Sequence, residues 1–207
     1  MTHFTIKFRW ENHAEQIVQS TQNETGFLYV AMMSAGKYLD NRALAAANTW
    51  AKDTQTWYKH SSTRIEIFAA TEGQIGGVNI IKLPGVADNV YPPQRKSFSM
   101  LRYLAEQHID DYDWFMRLDD DAYISWPILE KLLRRLDPTE MLYIGSPGFG
   151  KDDEDYVEEE MTYCMGGPGI VLSRELLRNL SPHLPSCLKL GNKISEPEVN
   201  WELPVNW

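Results

Sequence analysis

The sequence predicts an α/β sandwich built on a mainly parallel sheet. Three observations point there. Short apolar runs alternate with stretches of helical periodicity through most of the chain. The runs are close to continuous, as expected of strands buried on both faces. The 207 residues, 43% hydrophobic and 24% charged, suffice for one globular core of ordinary size.

Residues 1–25 are polar and irregular and read as a tail. The first strand covers residues 26–33, Gly-Phe-Leu-Tyr-Val-Ala-Met-Met. An Ala-rich helix follows over 39–51, with Leu39, Ala43, Ala46, Ala47 and Trp50 on one face. Strands come next at 64–70 and 78–83; Pro84-Gly85 punctuates the second, and Pro92-Pro93 marks a loop. A helix spans 94 to about 108, with Phe98, Leu101, Leu104, Ala105 and His108 at helical spacing. The strand 113–118 runs into Asp119-Asp120-Asp121. A helix over 128–136 has Pro127 near its first turn, and a short strand occupies 141–145. After the loop Gly166-Gly167-Pro168-Gly169 come a strand at 170–172 and a helix from about 173 to 180, with Ser173 as its N-cap. Residues 189–207 show no helix or strand period and read as a divergent tail. The domain is therefore expected over 26–188.

The formal net charge of −9 argues against a nucleic-acid polymer as the main partner. It leaves room for an anionic nucleotide held through a divalent cation, which reverses the local charge balance. The acidic run 152–160 reads as a solvated loop. The two cysteines, Cys164 and Cys187, lack metal-site spacing. Asn23-Glu24-Thr25 and Asn179-Leu180-Ser181 are N-glycosylation sequons if the chain enters a secretory pathway. No run of 18 apolar residues and no signal-like start is present, so the chain as it stands carries no anchor or address.

Four segments carry chemistry. The first is the apolar strand that ends in Asp119, Asp120 and Asp121. Adjacent carboxylates repel unless they share a cation or face different ways. Carboxylate oxygens suit Mg²⁺ or Mn²⁺, and the carboxyl end of a strand is where α/β sheets bind nucleotides. The alternative is an acidic turn capping the next helix. The second is Arg95-Lys96, which opens a helix and could meet the acids or a phosphate, or be a solvated basic turn. The third is Gly166, Gly167 and Gly169, which either let backbone approach a ligand or form a tight turn. The fourth is Arg42, placed to face a diphosphate, with Trp50 read as core.

Taken in order, these segments resemble the β1,3-glycosyltransferases of family 31, and most nearly the N-terminal transferase module of the chondroitin synthases. The residues that carry the likeness are Phe27 to Val30 with Lys37-Tyr38-Leu39, Arg42 with Thr49-Trp50, residues 91–97, residues 114–124 and residues 163–174. The resemblance implies a GT-A fold that binds a UDP-sugar donor. It implies Mn²⁺ or Mg²⁺ held by Asp121 and Asp119, with Asp119 and Asp120 touching metal or donor. Arg42 and Lys96 would steady the diphosphate or pair with the acids, and Gly166, Gly167 and Gly169 would shape the sugar site. It implies transfer of a sugar, glucuronate, with inversion to a chondroitin-like glycosaminoglycan, in a Golgi-lumen membrane protein that can work beside a second synthase-type subunit. A disulfide between Cys164 and Cys187 would accompany that compartment.

Two departures stand out. Asn48 stands where the family usually has Arg before Thr-Trp. After Cys187 the family has an acidic segment, near a His, which supplies the base, and a later His that completes the metal site; here Glu196 and Glu198 follow, with Pro197 between them and no His after them. A second reading is therefore a catalytically inactive fragment, or a non-catalytic partner of a full-length transferase. A third is a metal-binding α/β protein without sugar chemistry.

Overall fold

A computed structural model describes residues 25–52, 62–88, 90, 93–148 and 163–195. Its strands are β1 (Gly26–Met33), β2 (Thr63–Ala69), β3 (Gly73–Ile75), β4 (Val78–Lys82), β5 (Tyr112–Asp119), β6 (Tyr143–Gly145), β7 (Pro147–Gly148), β8 (Tyr163–Cys164) and β9 (Ile170–Ser173). Its α-helices are α1 (Leu44–Asn48), α2 (Gln94–His108), α3 (Trp126–Leu133), α4 (Arg174–Leu180) and α5 (Leu184–Ser195).

Seven strands form one sheet in the order β3-β4-β2-β1-β5-β9-β6, and β7 pairs with β8 separately. The centre, β4-β2-β1-β5, is parallel. Antiparallel pairings flank it, β3 with β4 on one side and β9 with both β5 and β6 on the other. β1 explains the near-continuous apolar run: Leu28, Tyr29, Val30, Ala31 and Met32 are all fully buried. Alternate side chains enter opposite layers. Leu28, Val30 and Met32 join Trp114, Met116, Leu118 and the helix carrying Ala43 and Ala47. Tyr29, Ala31 and Met33 join Phe115 and the α2 residues Met100, Leu101 and Leu104. The Tyr29 hydroxyl donates to buried Glu66, which Arg64 neutralises at 2.6 Å, so this polar cluster is internally satisfied.

Connectivity sets the site. From β1 the chain moves to β2 on one side; from β4 it returns through α2 to β5 on β1's other side. The carboxyl ends of β1 and β5 therefore flank a topological switch point, where α/β sheets open a crevice. Register places Met33 opposite Asp119, so the acid triplet emerges beside the residues that follow β1.

Several elements differ from expectation. The helix predicted over 39–51 begins as a π-helical turn, Leu39–Ala43, before α1. It breaks at Thr49, whose hydroxyl donates to Ala45 O at 2.7 Å. Such back-bonding competes with the helical ladder. Strand β3 was not expected; Gly76 and Gly77, at φ of 55° and 84°, supply the positive-φ pair of a tight hairpin into β4. α3 starts at Trp126, with Pro127 in its first turn, and ends at Leu133. Residues past Lys189 are helical as far as Ser195, which corrects the tail expected from 189. Buried Leu184 and Leu188, one turn apart, dock this helix against α2.

Ser173 does cap α4. Its fully buried hydroxyl accepts from Leu176 N at 3.2 Å and Leu142 N at 3.0 Å, and donates to Glu140 O at 2.6 Å. One oxygen thus ties helix start, sheet edge and the preceding turn. Ser173→Ala should lower stability by about 2 kcal/mol, the loss of a cap plus buried polar groups left unpaired. Urea unfolding with an unchanged m-value is the check.

Candidate donor and metal site

β5 delivers its charged end in three directions. Arg117 is buried beside Met33, and its Nη2 lies 2.9 Å from Asp119 Oδ1. Asp120 is also buried and accepts from the Ser34 hydroxyl at 2.6 Å. Asp121 is exposed and accepts from Arg42 Nη1 at 3.1 Å, while the same nitrogen stands 3.6 Å from Asp120 Oδ1. The acids therefore escape mutual repulsion by splaying, each toward its own partner. They do not cap α3, whose N-cap is Ser125. Instead Ala122 N donates to Asp119 O at 3.2 Å and closes a turn.

The Arg117–Asp119 pair is close without being satisfied. Arg117 Nε and Asp119 Oδ1 are both buried without a hydrogen-bond partner. Burial pushes the Asp119 carboxyl above the usual carboxylate range; Arg117 opposes this, and Asp121 and Asp120 add to it. Burial likewise pushes the Arg117 guanidinium down, against the pull of Asp119 and Tyr143. Both groups are held in a setting that disfavours their charge, so a further cation near Asp119 would relieve the carboxylate.

The glycine loop lies over this pair, although the two are some fifty residues apart in sequence. Asp119 N donates to Gly167 O at 3.2 Å, which extends the β5–β9 pairing into the loop. A Cβ on Gly166 would fall 2.1 Å from Arg117 Nη1, and one on Gly167 would fall 3.3 Å from Asp119 Oδ2. Gly169, at φ 115°, would place a Cβ 2.6 Å from Met116 Cε. These glycines are small because a charged side chain or the strand fills the space beneath them.

Lys96 is neither solvated nor paired with the triplet. It is buried, donates to Ser34 O at 2.7 Å and pairs with Asp88. Asp88 also accepts from Gly36 N at 2.7 Å and Ala70 N at 2.8 Å. Lys96 thus fixes the backbone after β1, and through it Ser34, behind Asp120. Arg42 does meet the acids. Trp50 is core, with its carbonyl accepting from Trp126 Nε1 at 2.7 Å.

Among the described residues no group of three or more His, Cys, Asp and Glu side chains gathers as a ready-made metal cage. The donors nonetheless fit a hard cation. Mg²⁺-type sites commonly use one or two carboxylates and let phosphates and water complete the shell. Asp119, whose buried Oδ1 is ion-paired to Arg117 without a hydrogen bond, and solvent-facing Asp121 are the residues that would supply that share.

Residues 23–199 match the Fringe-like family. The chain belongs to it. Among its relatives, chondroitin sulfate synthase 3 of Mus musculus is 43% identical over 172 residues, 82% of this chain and 19% of that protein. The human chondroitin sulfate glucuronyltransferase is 37% identical over 103 residues, 49% of this chain and 12% of that protein. The Fringe glycosyltransferase of Drosophila melanogaster is 30% identical over 96 residues, 41% of this chain and 23% of that protein. The chain spans about a fifth of the length of the synthase it matches.

Asn48, the departure from the family pattern, faces the β3–β4 turn: its Oδ1 lies 3.3 Å from where a Cβ on Gly76 would be, so the departure falls outside the acid cluster. Cys164 and Cys187 are both free thiols, on β8 and α5, so the expected disulfide is not formed. The amide nitrogen of exposed Asn179 donates to Glu175 O at 2.9 Å. Asn23, Glu196 and Glu198 lie outside the described residues. Arg117, Ser34 and Asp88 were missed from sequence. Arg117 alone had a signal there, as a lone charge inside an apolar strand.

Gly166 and Arg117 should behave as one unit. Gly166→Ala is expected to cost about 1–3 kcal/mol by forcing the guanidinium off Asp119, and much less when Arg117 is already Ala. A double-mutant cycle in urea measures that coupling; additive effects would show the contact to be slack.

Proposed function

We propose that this chain forms the donor-binding part of a metal-dependent hexosyltransferase of the chondroitin-synthase type. It moves a sugar, glucuronate, from a UDP-sugar to a chondroitin-like glycosaminoglycan with inversion. The observation that carries this reading is the placement of Asp119, Asp120 and Asp121 at the switch point, under a glycine loop, with a buried Asp119 oxygen that is ion-paired to Arg117 but makes no hydrogen bond. The names of the relatives, two of them chondroitin enzymes and one a glucuronyltransferase, support the donor and acceptor classes.

Bound Mn²⁺ or Mg²⁺ would neutralise charge developing on the departing diphosphate. The chain's own residues do the rest. Ser34 and Lys96 hold Asp120 in place behind the crevice. Gly166, Gly167 and Gly169 let the loop close over Arg117 and Asp119 and so shape the floor on which the donor sugar would lie. In transfer, the acceptor hydroxyl gives its proton to a carboxylate base as its oxygen bonds the anomeric carbon. The bond from that carbon to UDP breaks, and UDP leaves with the electron pair. Glu196 and Glu198 are the candidates for the base. The setting is the Golgi lumen, on a membrane-anchored protein beside a second synthase-type subunit. Among the described residues no helix is long and apolar enough to cross a membrane.

The rival reading is a non-catalytic partner that keeps the donor site without turnover. It is favoured by the proline between the two glutamates. Calorimetry of UDP in excess Mn²⁺ tests what both share. Asp121→Asn should weaken UDP by at least about tenfold, as expected when one ligand of a shared cation is lost. Unchanged affinity would remove the metal-nucleotide reading. Transfer from UDP-glucuronate, abolished in Glu198→Gln or Glu196→Gln, selects the enzyme; binding without transfer selects the partner.

A further inference from the structure

The two arginines that neutralise the triplet are unlike. Arg117 is fixed: its side chain is only 7% exposed, and the glycine loop packs directly on it. Arg42 is free to leave: its side chain is 45% exposed, and it rises from the π-helical turn rather than from the sheet. π-turns inside helices often sit at functional positions. Its guanidinium stacks over the Tyr38 ring, with Cζ 4.3 Å from the centroid, and Lys37 Nζ lies 4.7 Å from the same centroid. Tyr38 thus gathers two cations beside Asp121, and among the described residues Arg42 is the exposed cation that pairs with the triplet.

Building on the donor-site reading above, we infer that Arg42 is a resident counter-cation of the triplet. It yields Asp121 to the divalent ion and takes the diphosphate in exchange, so that metal and nucleotide bind as a coupled pair. The charges favour this exchange. Three carboxylates against two guanidinium groups leave one net negative charge. A dication arriving alone must share Asp121 with Arg42, and like charges a few ångströms apart repel. When a nucleoside diphosphate arrives with the ion, its negative charge gives Arg42 a new partner, and planar bidentate guanidinium–phosphate pairing is among the stronger charge-assisted contacts. The swap costs little, because a half-exposed ion pair such as Arg42–Asp121 is itself weak. Each ligand then raises the other's affinity by the same factor, as linkage requires.

The test is Mn²⁺ affinity by electron paramagnetic resonance without nucleotide, and UDP affinity at saturating Mn²⁺, for wild type, Arg42→Ala, Arg42→Gln and Arg42→Lys. Removing the charge should tighten Mn²⁺ alone by about three- to tenfold and weaken UDP, shrinking the coupling factor. Arg42→Lys should stay near wild type on metal alone. Arg42→Gln keeps the test intact if the alanine variant folds poorly. Mn²⁺ binding alone that is no tighter in the neutral variants than in wild type, including no binding by any of them, overturns the proposal. Failure of wild type to bind UDP would count against the donor-site reading, while the metal-only comparison would still decide the role of Arg42.

Discussion

Charge concentrated at the end of a buried strand is the constraint on which the rest of this structure depends. Asp119, Asp120 and Asp121 leave β5 where it lies against β1, and three carboxylates there would repel one another and resist desolvation. The fold answers with three different partners: a buried guanidinium for Asp119, a hydroxyl for Asp120 and a half-exposed guanidinium for Asp121. The answer is incomplete at Asp119. Asp119 keeps a buried oxygen without a hydrogen bond, and the two guanidinium groups leave the cluster short of one positive charge. Such a site is stable enough to fold and remains receptive to a cation.

Much of the surrounding architecture serves that arrangement. Ser34 follows directly on β1, and the buried Lys96–Asp88 pair anchors the backbone there through Ser34 O and Gly36 N. The glycine loop continues the β5–β9 ladder across Asp119, and its missing side chains make room for Arg117. The π-helical turn aims Arg42 from the opposite layer. Three elements that are distant in sequence therefore meet at one switch point, which is where a parallel sheet leaves space for a nucleotide.

The sheet was legible because its strands are apolar on both sides and its helices carry clean periodicity. α2 falls on the residues its spacing indicates, and Ser173 caps α4 as its position before Arg174 suggests. The acid triplet and the glycine loop were legible as motifs. Which charge each acid meets was not, because that depends on register and on partners more than sixty residues away in sequence, such as Ser34 and Arg42. Lys96 read as a cation for the acids or a phosphate, or as a solvated turn, since sequence does not show that Asp88 and Ser34 O await it in the interior. α5 was hidden by its proline and glycine, although Leu184 and Leu188 were enough to dock it. The π-helical turn has no sequence signature of its own.

The central claim is that a divalent ion and a nucleoside diphosphate meet at the end of β5. Paramagnetic broadening of backbone amide signals, with Mn²⁺ titrated into the protein in the presence of UDP, tests it most directly. The amides of Ser34, Asp119, Asp120, Asp121, Gly166 and Gly167 should fade first, and Mg²⁺ in place of Mn²⁺ should leave them visible. Broadening that spares these amides, or that centres on another part of the chain, would contradict the account.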